Sequence, residues 1–191
     1  MTRNVAIDVP ADPAAAELAP GWWTVDPART RLLLDTQVLG AVAVRARFPR
    51  VSGAVEVTAG PPAGPVAVAV DVAVETASLT SGSPRLDALL GASGLVDPAA
   101  GPLIRYRARR LPIGAPRTVD GSLATARGER PVRLTVVDAG MAATGFRLHL
   151  RGVVDRETVA GLLARPGAAR LIGPRSRLDL TVALAPTAAC G

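Results

Sequence analysis

The sequence predicts an all-β protein, an antiparallel barrel of about eight strands with one or two short helices. Three observations point there. Val66, Val68, Val70, Val72 and Val74 fall on every second residue of Pro65–Leu79, with Ala67, Ala69, Asp71, Ala73 and Glu75 between them. A strand turns alternate side chains to opposite faces, so this stretch carries one wholly apolar face; a helix would scatter the same β-branched residues around its circumference. Further segments repeat the one-sided alternation, and most are joined by hairpin-length links containing Gly, Pro or Asp. Two packed sheets would satisfy the same pattern. The strands are long for a small sandwich, however, and closing the sheet removes its aggregation-prone edges.

Residues 1–20, rich in Ala, Pro and Asp and without periodicity, read as a flexible arm; 187–191 read as a tail, leaving 21–186 as one domain. Trp23, Val25, Leu32 and Leu34 mark a first strand, broken at Asp26–Pro27 because proline removes a ladder donor. Gln37–Ala41 reads as a connector. Val42, Val44, Ala46 and Phe48 alternate with Arg45 and Arg47 as far as Pro49, and Val51, Val55 and Val57 form a third strand around Gly53. Gly60–Pro65 turns the chain into the valine strand, predicted to run the full fifteen residues to Leu79. Ser83–Pro84–Arg85 opens a short helix with serine as N-cap and proline where no N–H partner is needed. Leu86, Leu89 and Leu90 give it an apolar side, and Gly91 ends it. Ile104 and Tyr106 alternate with Arg105, Arg107 and Arg109, and a strand near Val119–Thr125 follows. Val132, Leu134 and Val136 mark the next strand, and Phe146, Leu148 and Leu150 the one after it. Leu178, Leu180, Val182 and Leu184 mark the last, with one or two helical turns over Arg156–Leu163 before it.

Composition narrows the class. Of 191 residues 49% are apolar, which excludes global disorder, and no apolar run reaches membrane-spanning length. The amino terminus lacks the continuous apolar core of an export signal, so the cytoplasm is the expected compartment. The single cysteine, Cys190, forbids an intrachain disulfide. The net charge of +6 comes entirely from arginine. Because function alone seldom removes every lysine, codon bias explains much of that balance, and the charge is weak evidence for an anionic partner.

No catalytic constellation is visible. His149, the one histidine, alternates onto the face of Arg147 and Arg151 and reads as solvated. With no second histidine and only a tail cysteine, no transition-metal site and no Cys–His pair can be assembled. No serine sits in G-x-S-x-G, and the prolines of Gly60–Gly64 remove the donors a phosphate loop needs. Asp87 and Asp97 form a conceivable carboxylate pair, for which capping and loop roles are the commoner use. Neither an enzyme nor a cofactor or metal is expected.

The motifs in their order resemble the YceI-like family, polyisoprenoid-binding proteins with a lipocalin-like barrel. The resemblance begins at WTVDPARTRLLLD (23–35) and continues through VRARFPRVSGAVEV (44–57) and VAVDVAVETASLTSG (68–82) with Arg85 and Leu89 behind it. PLIRYRARRL (102–111), VDGSLATARGERPVRLTV (119–136) and GFRLHLRGVVDRE (145–157) complete it, the last with Arg156. Arg29 stands for the family's histidine, Ala46 for a glycine, and Leu86 and Ala88 for the Asp and His after Arg85, so the chain is a divergent member whose polar family roles do not carry over.

Alternation nominates an inner face: Trp23, Leu32, Leu34 and Phe48, then Val68, Val70 and Val72, Ile104 and Tyr106, Leu134, and finally Phe146, Leu148, Leu150 and Leu180. The pattern alone fits an ordinary filled core as well as a cavity, since an eight-stranded barrel can be just filled or hold one ligand. The resemblance implies the cavity, with a long-chain isoprenoid-type lipid (a prenyl quinone, a polyprenyl phosphate or a similar amphiphile) as ligand. Magnitudes agree. At roughly 0.8 kcal/mol per buried carbon, an isoprene unit supplies about 4 kcal/mol; against association costs on the order of 4–15 kcal/mol, micromolar binding requires roughly three to six units. Arg85 would meet a polar head at the mouth; pairing with Asp87 or Asp97 is the structural alternative. The competing class is an Arg-rich surface (Arg105, Arg107, Arg109, Arg133, Arg147, Arg151) binding nucleic acid or anionic membrane over a solid core. The missing exposed aromatics disfavour nucleic acid. Peripheral membrane contact and a homodimer complete the expected partners.

Overall fold

Alternating apolar residues become ten strand segments in the computed structural model of the protein, which describes residues 19–58, 67–93, 99, 102–109, 118–125, 127–163 and 167–187. They are β1 (Gly21–Val25), β2 (Arg31–Val38), β3 (Val42–Phe48), β4 (Val51–Thr58), β5 (Ala67–Glu75), β6 (Leu103–Arg109), β7 (Thr118–Thr125), β8 (Gly128–Ala142), β9 (Gly145–Asp155) and β10 (Arg175–Pro186). The helices are α1 (Pro84–Ala92) and α2 (Arg156–Leu163).

Every pairing is antiparallel, and the ring closes into an eight-strand barrel because two places are each filled by a broken strand. β1 and β2 share one: Trp23–Val25 pair with Pro186–Leu184, while Arg31–Asp35 pair with Thr181–Arg177 of the same β10. Between them Pro27 cannot donate, yet the turn stays stitched to the wall, the Asp26 amide donating to the Ala183 carbonyl (2.9 Å) and the Ala183 amide to Thr30 Oγ1 (3.1 Å). β3 and β4 share the next place, broken at Pro49–Arg50, with β3 on β2 and β4 on β1. β5 to β10 then follow in chain order.

The valine strand is shorter than predicted. It ends at Glu75, where Thr76–Ser78 tighten into a 3-10 turn: Ser78 Oγ donates to the Glu75 carbonyl (2.7 Å), and the Thr76 amide leaves the ladder for the Pro102 carbonyl (3.0 Å). Val66 lies outside the described residues. The predicted connector Gln37–Ala41 shrinks to 39–41, since Gln37 and Val38 still pair with β3. The short helix runs past Gly91 to Ala92, and Ser93 ends it, its amide bonding the Leu89 carbonyl. Leu90 is buried and Leu86 half-buried in α1, but Leu89 is 60% exposed, so its apolar side is narrower than the leucine spacing predicts. The Arg156–Leu163 turns form as α2, with Asp155 Oδ1 accepting from the Thr158 amide (2.7 Å).

β5 and β9 run the same way round the ring, so the β5–β6 connection carrying α1 and the β9–β10 connection carrying α2 leave from the same barrel end. That end is packed. Val159 and Ala160 of α2 and Leu90 of α1 join inward residues such as Phe48, Val74 and Val154 in one buried cluster. No described helix is long and apolar enough to cross a membrane.

Candidate functional site

Depth of burial divides the inner face into two sets. Trp23, Leu34, Phe48, Ile104, Leu134, Phe146 and Leu150 are buried, Leu34 at 0% and Leu134 at 2% exposure, and form the packed core. Leu32, Val70, Val72, Tyr106, Leu148 and Leu180 alternate onto the same face but remain half-buried, packed against that core. The side chain of Val68 lies outside the described residues, although its backbone pairs with Val57.

The half-buried set occupies two arcs. Leu180 sits between Leu32 of β2 and Leu150 of β9, and Val182 beside Leu148. Across the ring, Val72 pairs with Tyr106. By strand order β5 and β6 stand four places from β9 and β10, the far side of an eight-place ring. Three inward residues that the sequence nominations missed, Val136, Ala139 and Val182, extend the first arc and are half-buried too. Val136 and Val182 were visible as alternating residues. Ala139 was hidden by the irregularity between Val136 and Asp138, which shifts the β8 register by one residue.

Electrostatically the inner face is nearly blank. Inside the barrel none of the described inward residues carries a charge; Arg130, at the helix end, points out to Glu157 (3.8 Å). Ser176 Oγ and Thr36 Oγ1 satisfy one another at 2.7 Å. Tyr106 is the remaining inward polar side chain deep in the wall. Its ring crosses from β6 onto β7 over Gly121, where a Cβ would lie 2.5 Å from Cζ and collide with the hydroxyl. Burial, with a smaller contribution from Asp120, pushes the phenol pKa up, so the group stays neutral at physiological pH.

The polar nominations fall outside this interior. Arg85 is exposed in the first turn of α1. The Asp87 carboxylate closes the preceding loop instead, accepting from Thr80 Oγ1 (2.8 Å), the Ser81 amide (2.7 Å) and Ser81 Oγ (2.6 Å). The Ser81 bonds above all hold its carboxyl below the ordinary value. Asp97 and Cys190 lie outside the described residues, so the Asp87–Asp97 pairing does too. Arg29 pairs with Asp26 (3.6 Å). Ala46 is buried, Leu86 half-buried and Ala88 exposed. His149 lies on the outer face, half-buried, with Nε2 2.9 Å from Asp179 Oδ1. Among the described residues no cluster of three His, Cys, Asp or Glu is placed to hold a metal ion.

Three of the six outer arginines are neutralised by aspartates on neighbouring strands. Arg107 bonds Asp71 (3.2 Å), Arg133 bonds Asp120 (2.6 Å) and Arg151 bonds Asp179 (3.0 Å). Each pairing joins neighbouring strands, and such exposed pairs are worth roughly 0–1 kcal/mol. The side chain of Arg109 lies outside the described residues.

Comparison with known proteins agrees with the architecture. The chain superposes on BcnA of Burkholderia cenocepacia with a TM-score of 0.57 at 16% identity, covering 84% of this chain and 99% of that one. It superposes on a polyisoprenoid binding domain from Saccharophagus degradans, implicated in plant cell wall breakdown, with a TM-score of 0.59 at 14% identity, covering 86% and 98%. No curated protein sequence matches the chain. At such identities the superpositions speak for the fold. The family model of the YceI-like domain matches residues 23–183, nearly the whole barrel, and the chain therefore belongs to the YceI-like family.

Proposed function

We propose that the protein binds and shields a long-chain isoprenoid-type lipid inside the barrel, without catalysing a reaction on it. One observation carries this reading: inward apolar side chains on facing walls stay half-buried, although the same strands bury their other inward residues completely. A core filled by its own side chains would leave no such division, because interiors pack at crystal-like density. The lumen is lined by Leu32, Val70, Val72, Tyr106, Leu148 and Leu180, extended by Val136, Ala139 and Val182. The buried set forms its supporting wall. The blank electrostatics suit a hydrocarbon tail, and the polyisoprenoid binding domain of the similar fold supports the ligand class. The absence of charge among the described inward residues, with His149 outside and Asp87 occupied in its loop, supports a binding role. Mass spectrometry of an organic extract of natively purified protein tests it. A co-purifying polyprenyl lipid in near-stoichiometric amount is expected. An empty extract, together with no uptake of added polyprenols, refutes it.

A further inference from the structure

The Tyr106 hydroxyl is buried without a hydrogen-bond partner among the described residues. Such groups are rare in native proteins, because a buried donor without a partner carries its full desolvation penalty. Two other buried polar atoms share that state, Thr76 Oγ1 and Arg156 Nε, but they belong to the 3-10 turn after β5 and the start of α2, at the helix-bearing end. Tyr106 alone lies beside the half-buried stretch, paired with Val72 on one side and Leu123 on the other. Phenylalanine would fill the same volume with no orphan donor.

We propose that Tyr106 is the specificity-determining polar group of the lumen, donating its hydroxyl hydrogen to a neutral acceptor oxygen on the bound lipid. This rests on the lumen reading above and narrows its ligand to a carbonyl-bearing chain of the prenyl-quinone type, its ring drawn inside. A phosphate head does not suit the position. An anion there would be desolvated with no described inward cation to face it, whereas a carbonyl needs only one donor. The ring rests on Gly121, the one β7 position without a side chain, and the hydroxyl is turned into that wall. Donation to a ligand therefore requires the ring to turn off the glycine surface, which has no Cβ to block it. A site built around a hydrogen bond discriminates strongly against ligands that lack its partner, because the donor is then left unmet.

The test compares wild type with Tyr106→Phe, using a long-chain prenyl quinone, a polyprenyl phosphate and an oxygen-free polyprene of equal length. The Phe variant should unfold about 2–4 °C higher, having lost the orphan hydroxyl. It should bind the polyprene as wild type does and bind the quinone about tenfold more weakly, as expected for one lost hydrogen bond. Unchanged quinone affinity overturns the proposal, as does an equal loss for quinone and polyprene, which would mark Tyr106 as packing only. Preference of the wild type for the phosphate over the quinone also overturns it. If the wild type takes up none of the three, the lumen reading itself has failed and this one falls with it.

Discussion

Replacing Leu148 or Leu180 by tryptophan separates an open lumen from a filled core. Both side chains point inward and are half-buried, whereas Leu34 and Leu134 are 0% and 2% exposed on the same wall. At Leu134 the fit is tight even without a change: a Cβ on the facing Gly152 would lie 2.6 Å from Leu134 Cδ2. Overpacking a filled core costs about 1–3 kcal/mol. For a domain of this size each kcal/mol moves Tm by about 2–4 °C, so Leu134→Trp should lose roughly 2–12 °C. Leu148→Trp and Leu180→Trp should change Tm by less than about 2 °C, because the added ring enters unoccupied space, while lipid uptake is abolished. Thermal unfolding in parallel with uptake of a polyprenyl probe reads both quantities. Equal destabilisation of all three variants would show that the inner face is solidly packed and refute the lumen.

Three further outcomes follow from local geometry. Gly121→Ala should destabilise by about 1–3 kcal/mol, since its Cβ collides with the Tyr106 ring; Tyr106→Leu in the same chain should restore part of that loss, and strict additivity in urea unfolding would show the contact is unimportant. Leu39 holds a left-handed φ of 55° at the β2–β3 turn and is 62% exposed, so Leu39→Asn should gain about 0.5–1 kcal/mol by removing Cβ strain, and an unchanged urea midpoint would contradict it. Burial pushes the Asp179 carboxyl up, but hydrogen bonds from Arg151 and His149 outweigh it and leave its pKa below the ordinary value. A depressed carboxylate contributes stability above its unfolded pKa of about 3.9, and that contribution is lost as pH falls through the folded value. Asp179→Asn should therefore weaken the protein at pH 7 and flatten its decline from pH 5 to 3; parallel wild-type and variant curves would refute the assignment.

Strand identity was legible because alternation is a local signal. Val44, Ala46 and Phe48 are all buried while Arg45 and Arg47 are exposed, as their spacing implies, and the break at Asp26–Pro27 falls where proline requires it. Alternation assigns a face but not a depth. Leu148 and Leu150 are equivalent in sequence, yet one is half-buried and the other buried, because depth depends on what stands across the ring. The same limit hid the Tyr106–Gly121 contact, which joins two strands through a glycine that reads locally as mere punctuation. Leu89 failed for a related reason: its helix rests on the barrel along a narrow line, and leucine spacing alone says nothing of how wide the opposing surface is. The end of β5 was missed because Thr76 and Ser78 keep the period of a strand while their hydrogen bonds follow a turn.

β10 pairs with β1, β2 and β9 at once, so three strand margins wait on this one late segment of the barrel. Until Arg175–Pro186 has left the ribosome, those margins are open to any neighbouring chain, and no enclosed interior exists. An interior able to enclose a ligand therefore forms only once this segment has docked. A nascent chain stalled before residue 175 should be aggregation-prone and unable to retain lipid.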